Sequence, residues 1–197
     1  MIGCVVHAAA YVTEPGFADH RLGRGLVIGE PRGGVSPRVL QLKQVLEEAG
    51  FEATASERVQ RDIWYKLWGN MTTNPISAIT GATTDLVIGD EVVLALANGA
   101  MREAARVGER LGCAISQTPE ERNQITRRLG AFKTSMLQDA EAGRAIELDS
   151  LVGAVRELGR HVGIETPLVD AIFGLARLHG RVHGLYPQAP LAAPPVA

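Results

Sequence analysis

The stretch Trp64-Tyr65-Lys66-Leu67-Trp68-Gly69-Asn70-Met71-Thr72-Thr73-Asn74-Pro75 sets Lys66, Asn70 and Asn74 at successive steps of four. In a helix such residues share one face. That face would carry an ammonium and two carboxamides beside a stripe of Ile63, Leu67 and Met71, also four apart, that suits burial against a core. An ammonium only donates, whereas a carboxamide both donates and accepts, so the row suits binding and protonating an oxygen-rich anion. A solvated helix face is the alternative reading of the same spacing. Pro75 is expected to end or kink the helix, leaving Ser77 to Thr84 as a short polar connection.

Upstream, Ile2 to Val6, Ala8 to Val12, Leu26 to Ile28 and Phe51 to Ala55 read as short strands, with a turn-rich stretch from Thr13 to Gly25. Val39, Leu40, Leu42, Val45 and Leu46 recur at helical spacing, which predicts an amphipathic helix over 37–49. This inventory matches the end of a sheet domain, since a complete α/β unit opens with a strand and crosses to a parallel neighbour through a helix. Gly23, Gly25 and Gly29 precede a strand and are spaced G-x-G-x-x-x-G, so they are read as a loop and not as a dinucleotide fingerprint.

Downstream the periodicity is helical throughout. A long helix is expected over 90–111. Thr118-Pro119-Glu120-Glu121 carries a helix-start signature, for a helix reaching about Leu129. Three more helices are expected over 133–142, 149–162 and 167–184. The expected organisation is thus 1–57 as a partial sheet domain, 58–185 as an all-helical domain and 186–197 as a Pro/Ala-rich tail.

With 197 residues, 46% of them hydrophobic, the chain can bury a substantial core. Its 20 basic and 22 acidic residues are well mixed, for a formal net charge of -2, which offers no field for nucleic acid or an anionic membrane. Cys4 and Cys113 stand alone, so neither a disulfide framework nor a zinc site is indicated. No apolar run approaches the roughly 20 residues of a spanning helix, and a cytoplasmic setting is expected. His179 and His183 stand four apart on one helix, too few ligands for a metal site, and none is expected.

A second polar cluster follows, Lys133-Thr-Ser135-Met-Leu-Gln-Asp139 and then Gly143-Arg144-Ala-Ile-Glu147-Leu-Asp149. Ser135 can hydrogen-bond a carboxylate, and Glu147 can orient an ammonium or hold a hydroxyl, while Asp139 and Asp149 suit capping and turns.

The motifs K-L-W-G-N-M-T-T-N-P, S-M-L-Q-D and G-R-A-I-E-L-D, in this order and at these separations, resemble the C-terminal helical domain of the ketopantoate reductase (2-dehydropantoate 2-reductase) family. The resemblance runs from about residue 1 to 185. It implies a mainly α chain, with a 6-phosphogluconate-dehydrogenase C-terminal-like helical domain preceded by a partial Rossmann remnant. It also implies NADPH-dependent reduction of ketopantoate or a related 2-ketoacid, as in pantothenate biosynthesis. Lys66 would be the general acid, Asn70, Asn74 and Ser135 substrate contacts, Glu147 a contact to substrate and cofactor, and Ala9, in Val6-His7-Ala8-Ala9, a cofactor contact. The family opens with a strand and G-x-G-x-x-G, followed by further βα units and an N-G pair that contributes an active-site asparagine. None of these stands ahead of the matching motifs, so catalysis is expected to need a further dinucleotide-binding region. Thr84 stands where the family often has asparagine, and Phe132 where polar residues occur. The rival reading is a non-catalytic helical remnant that binds a ketoacid weakly or dimerises. Long apolar helices commonly self-associate, so a homodimer is one candidate assembly, and the sequence does not give the oligomeric state.

Overall fold

The computed structural model describes residues 1–128 and 130–188. Leu129, where the fourth helix was expected to end, and 189–197, most of the expected tail, lie outside the described residues. The chain divides into two compact units, Met1–Lys66 and Leu67–Ala197.

In the first unit, β1 (Gly3–Glu14) and β2 (Phe17–Gly29) form a long antiparallel hairpin, from Gly3 opposite Gly29 to Glu14 opposite Phe17. Helix α1 (Pro37–Glu48) then crosses to β3 (Glu52–Ala55), which pairs parallel with β2 from Gly25–Glu52 to Ile28–Ala55. The strand order is β1-β2-β3, so β2-α1-β3 is a βαβ unit. Ser36 caps α1 by accepting from the Val39 amide at 3.4 Å, and Pro37 opens it. Val5, Ile28, Val39, Ala53 and Val59 are buried at the centre.

The hairpin corrects three expectations. Ile2–Val6 and Ala8–Val12 are one strand, Thr13–Gly25 is mostly strand, and the Gly23, Gly25 and Gly29 group lies within β2 instead of in a loop. The described side chains of the hairpin's far half bury almost nothing, with Val12 72% and Phe17 65% exposed, so no apolar alternation marks it. Backbone pairing and the turn at Pro15-Gly16 hold it instead. Gly23 sits at φ +73, and a Cβ there would fall 2.3 Å from the His7 carbonyl oxygen, a crossing that a side chain would block.

Helix α2 runs from Val59 to Thr80 with Pro75 inside it, so the expected stop and the connection from Ser77 are wrong. Every residue from Met71 to Ala78 is buried, and that packing outweighs the lost backbone hydrogen bond of the proline. The core stripe is also rotated from the expected one: Trp64, Trp68 and Met71 are buried, whereas Ile63 is exposed and Leu67 half-buried. Large aromatics win the buried positions because they remove the most apolar area from water.

The described residues of the second unit contain no strand. A short α3 (Thr84–Gly89), not expected from the sequence, leads to α4 (Glu91–Arg110), whose N-terminus Asp90 caps by accepting from the Val92 and Val93 amides at 3.0 and 2.9 Å. Helices α5 (Pro119–Arg127), α6 (Ser135–Glu141), α7 (Ala154–Val162) and α8 (Pro167–Val182) follow, and a π-helical turn at Asp149–Gly153 leads into α7. The capping box read at Thr118 and Glu121 is present in both directions, at 3.2 and 2.8 Å. Helix α4 is central and packs against α3, α5, α7 and α8 through Ala97, Ala100, Met101, Ala104 and Val107. Its buried Glu103 accepts from the Leu168 amide at 3.1 Å and the Val169 amide at 3.0 Å, capping α8 from a distant part of the chain. No described helix is long and apolar enough to cross a membrane.

Candidate functional site

Helix α2 brings its polar residues into place through what lies on its other faces. Trp68 is fully buried and its indole N–H donates to the Met101 carbonyl at 2.7 Å, tying α2 to α4. Beside it, Gly69 lets a guanidinium lie on the helix backbone: a Cβ there would stand 2.6 Å from Arg122 Nη2 and 2.9 Å from Cζ. Arg122 also donates through Nη1 to Thr126 Oγ1 at 3.0 Å within α5. The sequence reading missed Arg122. Its signal was Gly69, a residue that costs about 1 kcal/mol in a helix interior and so marks a close approach.

Asn70 is half-buried and Asn74 is 6% exposed, one turn apart. Within the second unit neither carboxamide is hydrogen-bonded to a described side chain, so both keep their donors and acceptors for a ligand. Lys66, in the first unit, is half-buried, and its Nζ donates to the Val6 carbonyl of β1 at 2.6 Å. An ammonium carries three donors, so this bond leaves two. Ala9 is half-buried on β1.

Ser135 is the first residue of α6 and is exposed, while the neighbouring Thr134 does the capping by accepting from the Leu137 amide at 3.2 Å. Glu147 lies between the buried Ile146 and Leu148, and this alternation turns its side chain to solvent. The Ile146 amide donates to the Leu185 carbonyl at 2.9 Å, which anchors the segment. Within the second unit, no hydrogen bond joins the side chains of Asn70, Asn74, Ser135 and Glu147 to one another among the described residues. Asp139 accepts from Arg144 Nε at 2.8 Å, and Asp149 accepts from the Tyr186 hydroxyl at 2.8 Å, so both serve local structure. Burial, with the Asp149 contact second, raises the Tyr186 hydroxyl above the ordinary tyrosine range.

Thr84 and Phe132 meet in space. Thr84 donates through its amide to the Phe132 carbonyl at 2.9 Å and through its hydroxyl to the Gly130 carbonyl at 2.8 Å. At the far end of α8 the His179 and His183 rings lie 4.4 Å apart. Burial, reinforced by the neighbouring imidazole, lowers the His179 pKa below the ordinary histidine value. Among the described residues no group of three or more His, Cys, Asp or Glu side chains is placed to hold a metal ion.

Residues 58–180 match the protein-family model described as Ketopantoate reductase PanE/ApbA C terminal. The 2-dehydropantoate 2-reductase of Mesorhizobium japonicum is 42% identical over 186 residues, which are 94% of this chain and 57% of that protein. A solved structure from Ralstonia solanacearum MolK2, proposed as a ketopantoate reductase, superposes with a TM-score of 0.91 at 50% identity, covering 94% of this chain and 56% of that one. The 2-dehydropantoate 2-reductase of Methylococcus capsulatus gives 0.87 at 27% identity, covering 92% and 63%. The chain thus spans less than two thirds of the length of these relatives. With the matched segment covering α2 through most of α8, the chain belongs to the ketopantoate reductase family, of which residues 58–180 are the C-terminal domain.

Proposed function

We propose that this chain is the substrate-binding and proton-donating part of a 2-ketoacid reductase acting on ketopantoate or a close analogue. The observation that carries the reading is helix α2, unbroken from Val59 to Thr80, which sets Lys66, Asn70 and Asn74 one turn apart in a chain of this family. Asn70, Asn74 and Ser135 hold the ketoacid through hydrogen bonds to its carboxylate and ketone. Reduction adds a hydride to the ketone carbon and a proton to its oxygen. Lys66 supplies the proton, and its charge stabilises the alkoxide as it develops. Glu147 orients the ammonium and contacts the substrate.

NADPH is the expected hydride donor, with Ala9 and Glu147 as its contacts from this chain. Gly23, Gly25 and Gly29 lie inside β2 and not in a turn that opens a helix, so this glycine group is no pyrophosphate cradle. NADPH binding is therefore assigned to a dinucleotide-binding region working with this chain, and calorimetry on residues 1–197 alone should find only weak binding.

The test is to fuse the chain to the dinucleotide-binding part of the Mesorhizobium japonicum relative and follow NADPH oxidation with ketopantoate and with an apolar 2-ketoacid. The second substrate probes the Thr84–Phe132 pair. Lys66→Ala should lower kcat by about 100- to 10,000-fold with a smaller change in KM. Asn70→Ala and Ser135→Ala should raise KM more than they lower kcat. A Lys66→Ala fusion with full kcat and an unchanged basic limb of its pH profile would make Lys66 a structural residue. An inactive parent fusion that still binds ketopantoate would favour the non-catalytic reading.

A further inference from the structure

On the second unit, α3, α4 and α5 form a cleft of about 200 Å³ that is lined by none of Asn70, Asn74, Ser135 and Glu147. Its walls are apolar at Ile88 and Leu94, and its floor carries two buried carboxamides, Asn98 at 8% and Asn123 at 5% exposure. These are partly committed to each other. Asn123 Nδ2 donates to Asn98 Oδ1 at 2.6 Å, and Asn98 Nδ2 donates to Glu120 Oε1 at 3.2 Å. Arg102 pairs with that same Glu120 oxygen.

Two acceptors remain. No described group donates to Asn123 Oδ1, and both partners of the Glu120 carboxylate use Oε1, which leaves Oε2. With no donor among the described groups, the Asn123 carboxamide oxygen is open to accept a hydrogen bond from a ligand. At the other end stand Gln124 and Arg127. Arg127 spends one weak bond, 3.4 Å from Nη2 to the Ile88 carbonyl, and keeps its remaining donors.

The charges are ordered along one helix. Glu120, Asn123 and Arg127 lie at steps of three and four on α5, so acceptors occupy its N-terminal end and a cation its C-terminal end, about 10 Å apart at 1.5 Å per residue. From this geometry we infer that the cleft binds a small amino acid as its zwitterion. The ammonium sits between Asn123 Oδ1 and Glu120, the carboxylate meets Arg127 and Gln124, and the short carbon chain lies on Ile88 and Leu94. The volume, below the roughly 300 Å³ lower end of drug-sized pockets, limits the ligand to a compact metabolite. This site is independent of the Lys66 reading and stands or falls without it.

The experiment uses residues 1–197 as they are, with β-alanine, γ-aminobutyrate and L-valine as probes, followed by thermal shift and by amide chemical shifts. At least one probe should give a saturable rise in Tm, with shift changes concentrated on α3, the start of α4 and α5. Its N-acetyl derivative, which lacks the ammonium, and its methyl ester, which lacks the carboxylate, should each bind at least about tenfold more weakly, a loss of about 1.4 kcal/mol. Arg127→Gln, a change at an exposed position that leaves the fold intact, should weaken the zwitterion and the N-acetyl acid but not the ester. Asn123→Leu should abolish binding, with the Arg127 variant standing in if the leucine variant does not fold. Equal binding of zwitterion, ester and N-acetyl forms would overturn the proposal. So would shift changes elsewhere, or no saturation by any probe at tens of millimolar.

Discussion

The distal hairpin of the first unit and the middle of the second unit solve the same problem, satisfying backbone polar groups, by opposite means. Residues 10–24 pair their amides and carbonyls across β1 and β2 while most of their side chains stay in water. Helix α4 satisfies its own internally, as does the stretch Met71–Ala78 apart from the bond lost at Pro75, and both bury a continuous face. In the hairpin the critical contacts are backbone to backbone, as at Gly23, whereas in the helical unit they are side chain to side chain or side chain to helix end, as at Trp68 and Glu103. Tolerance to substitution should therefore be inverted between the two.

The largest effect is expected at Trp68. Truncation to alanine removes a fully buried aromatic and its indole bond to the Met101 carbonyl, which should cost about 3–5 kcal/mol in urea unfolding followed in the second unit. Trp68→Phe should cost much less, since it keeps most of the buried area. Glu103→Ala comes next. It strips the α8 N-terminus of its acceptor and should cost about 1–3 kcal/mol, with hydrogen exchange rising first at Leu168 and Val169. Glu103→Gln retains an acceptor and should recover part of the loss. If Glu103→Ala were neutral, the helical unit would not depend on side-chain capping as described.

The same contrast explains what could be read from sequence. Helices α4, α5 and α8 were legible because burial imposes a 3.6-residue period and because Thr118 and Pro167 mark two of their starts, whereas α1 was legible from spacing although Leu40 and Val45 are exposed. Pro75 misled because a local rule was overridden by packing around Met71–Ala78, which no local pattern reveals. The distal hairpin was hidden because its described side chains bury almost nothing. At the candidate site, Lys66, Asn70 and Asn74 were visible from spacing alone, and Ser135 and Glu147 through the motifs around them. Arg122 and the Asn98–Asn123 pair were not visible, because they come from helices remote in sequence and meet only in the packed unit.

Gly23→Ala tests the hairpin side. The residue holds φ +73, and the new Cβ would collide with the His7 carbonyl, so a cost of about 1–3 kcal/mol is expected, localised to β1 and β2 amides. An unprotected β3 in the same variant would mean that the hairpin and the βαβ unit open together. A pH test sharpens the same unit. Hydrogen bonds from Arg38 and then Ser36 lower the Glu30 carboxyl from 4.5 to about 2. A depressed carboxylate stabilises the fold above the unfolded value and loses that contribution as pH falls from 4.5 toward 2. Glu30→Gln should therefore flatten the acid limb of first-unit stability between those values and lower neutral-pH stability by the same amount, which is kept small because the Arg38 end of the pair is exposed and screened.

The smallest effects should come from the side chains of the hairpin itself. Val12 and Phe17 are the kind of residues that dominate a core, yet here they stand in water, so Val12→Thr removes almost no buried area and keeps a β-branched residue on the strand. Phe17→Ser gives up strand propensity at the turn but buries nothing new. Each should change stability by no more than about 0.5 kcal/mol, well below the cost of the single methyl group added at Gly23. Exchange protection across β1 and β2, measured for the three variants side by side, decides it. A loss at Val12 or Phe17 as large as that at Gly23 would mean that these apolar side chains are covered in solution by a surface outside the first unit, and the inversion drawn between the two regions would fail at that point.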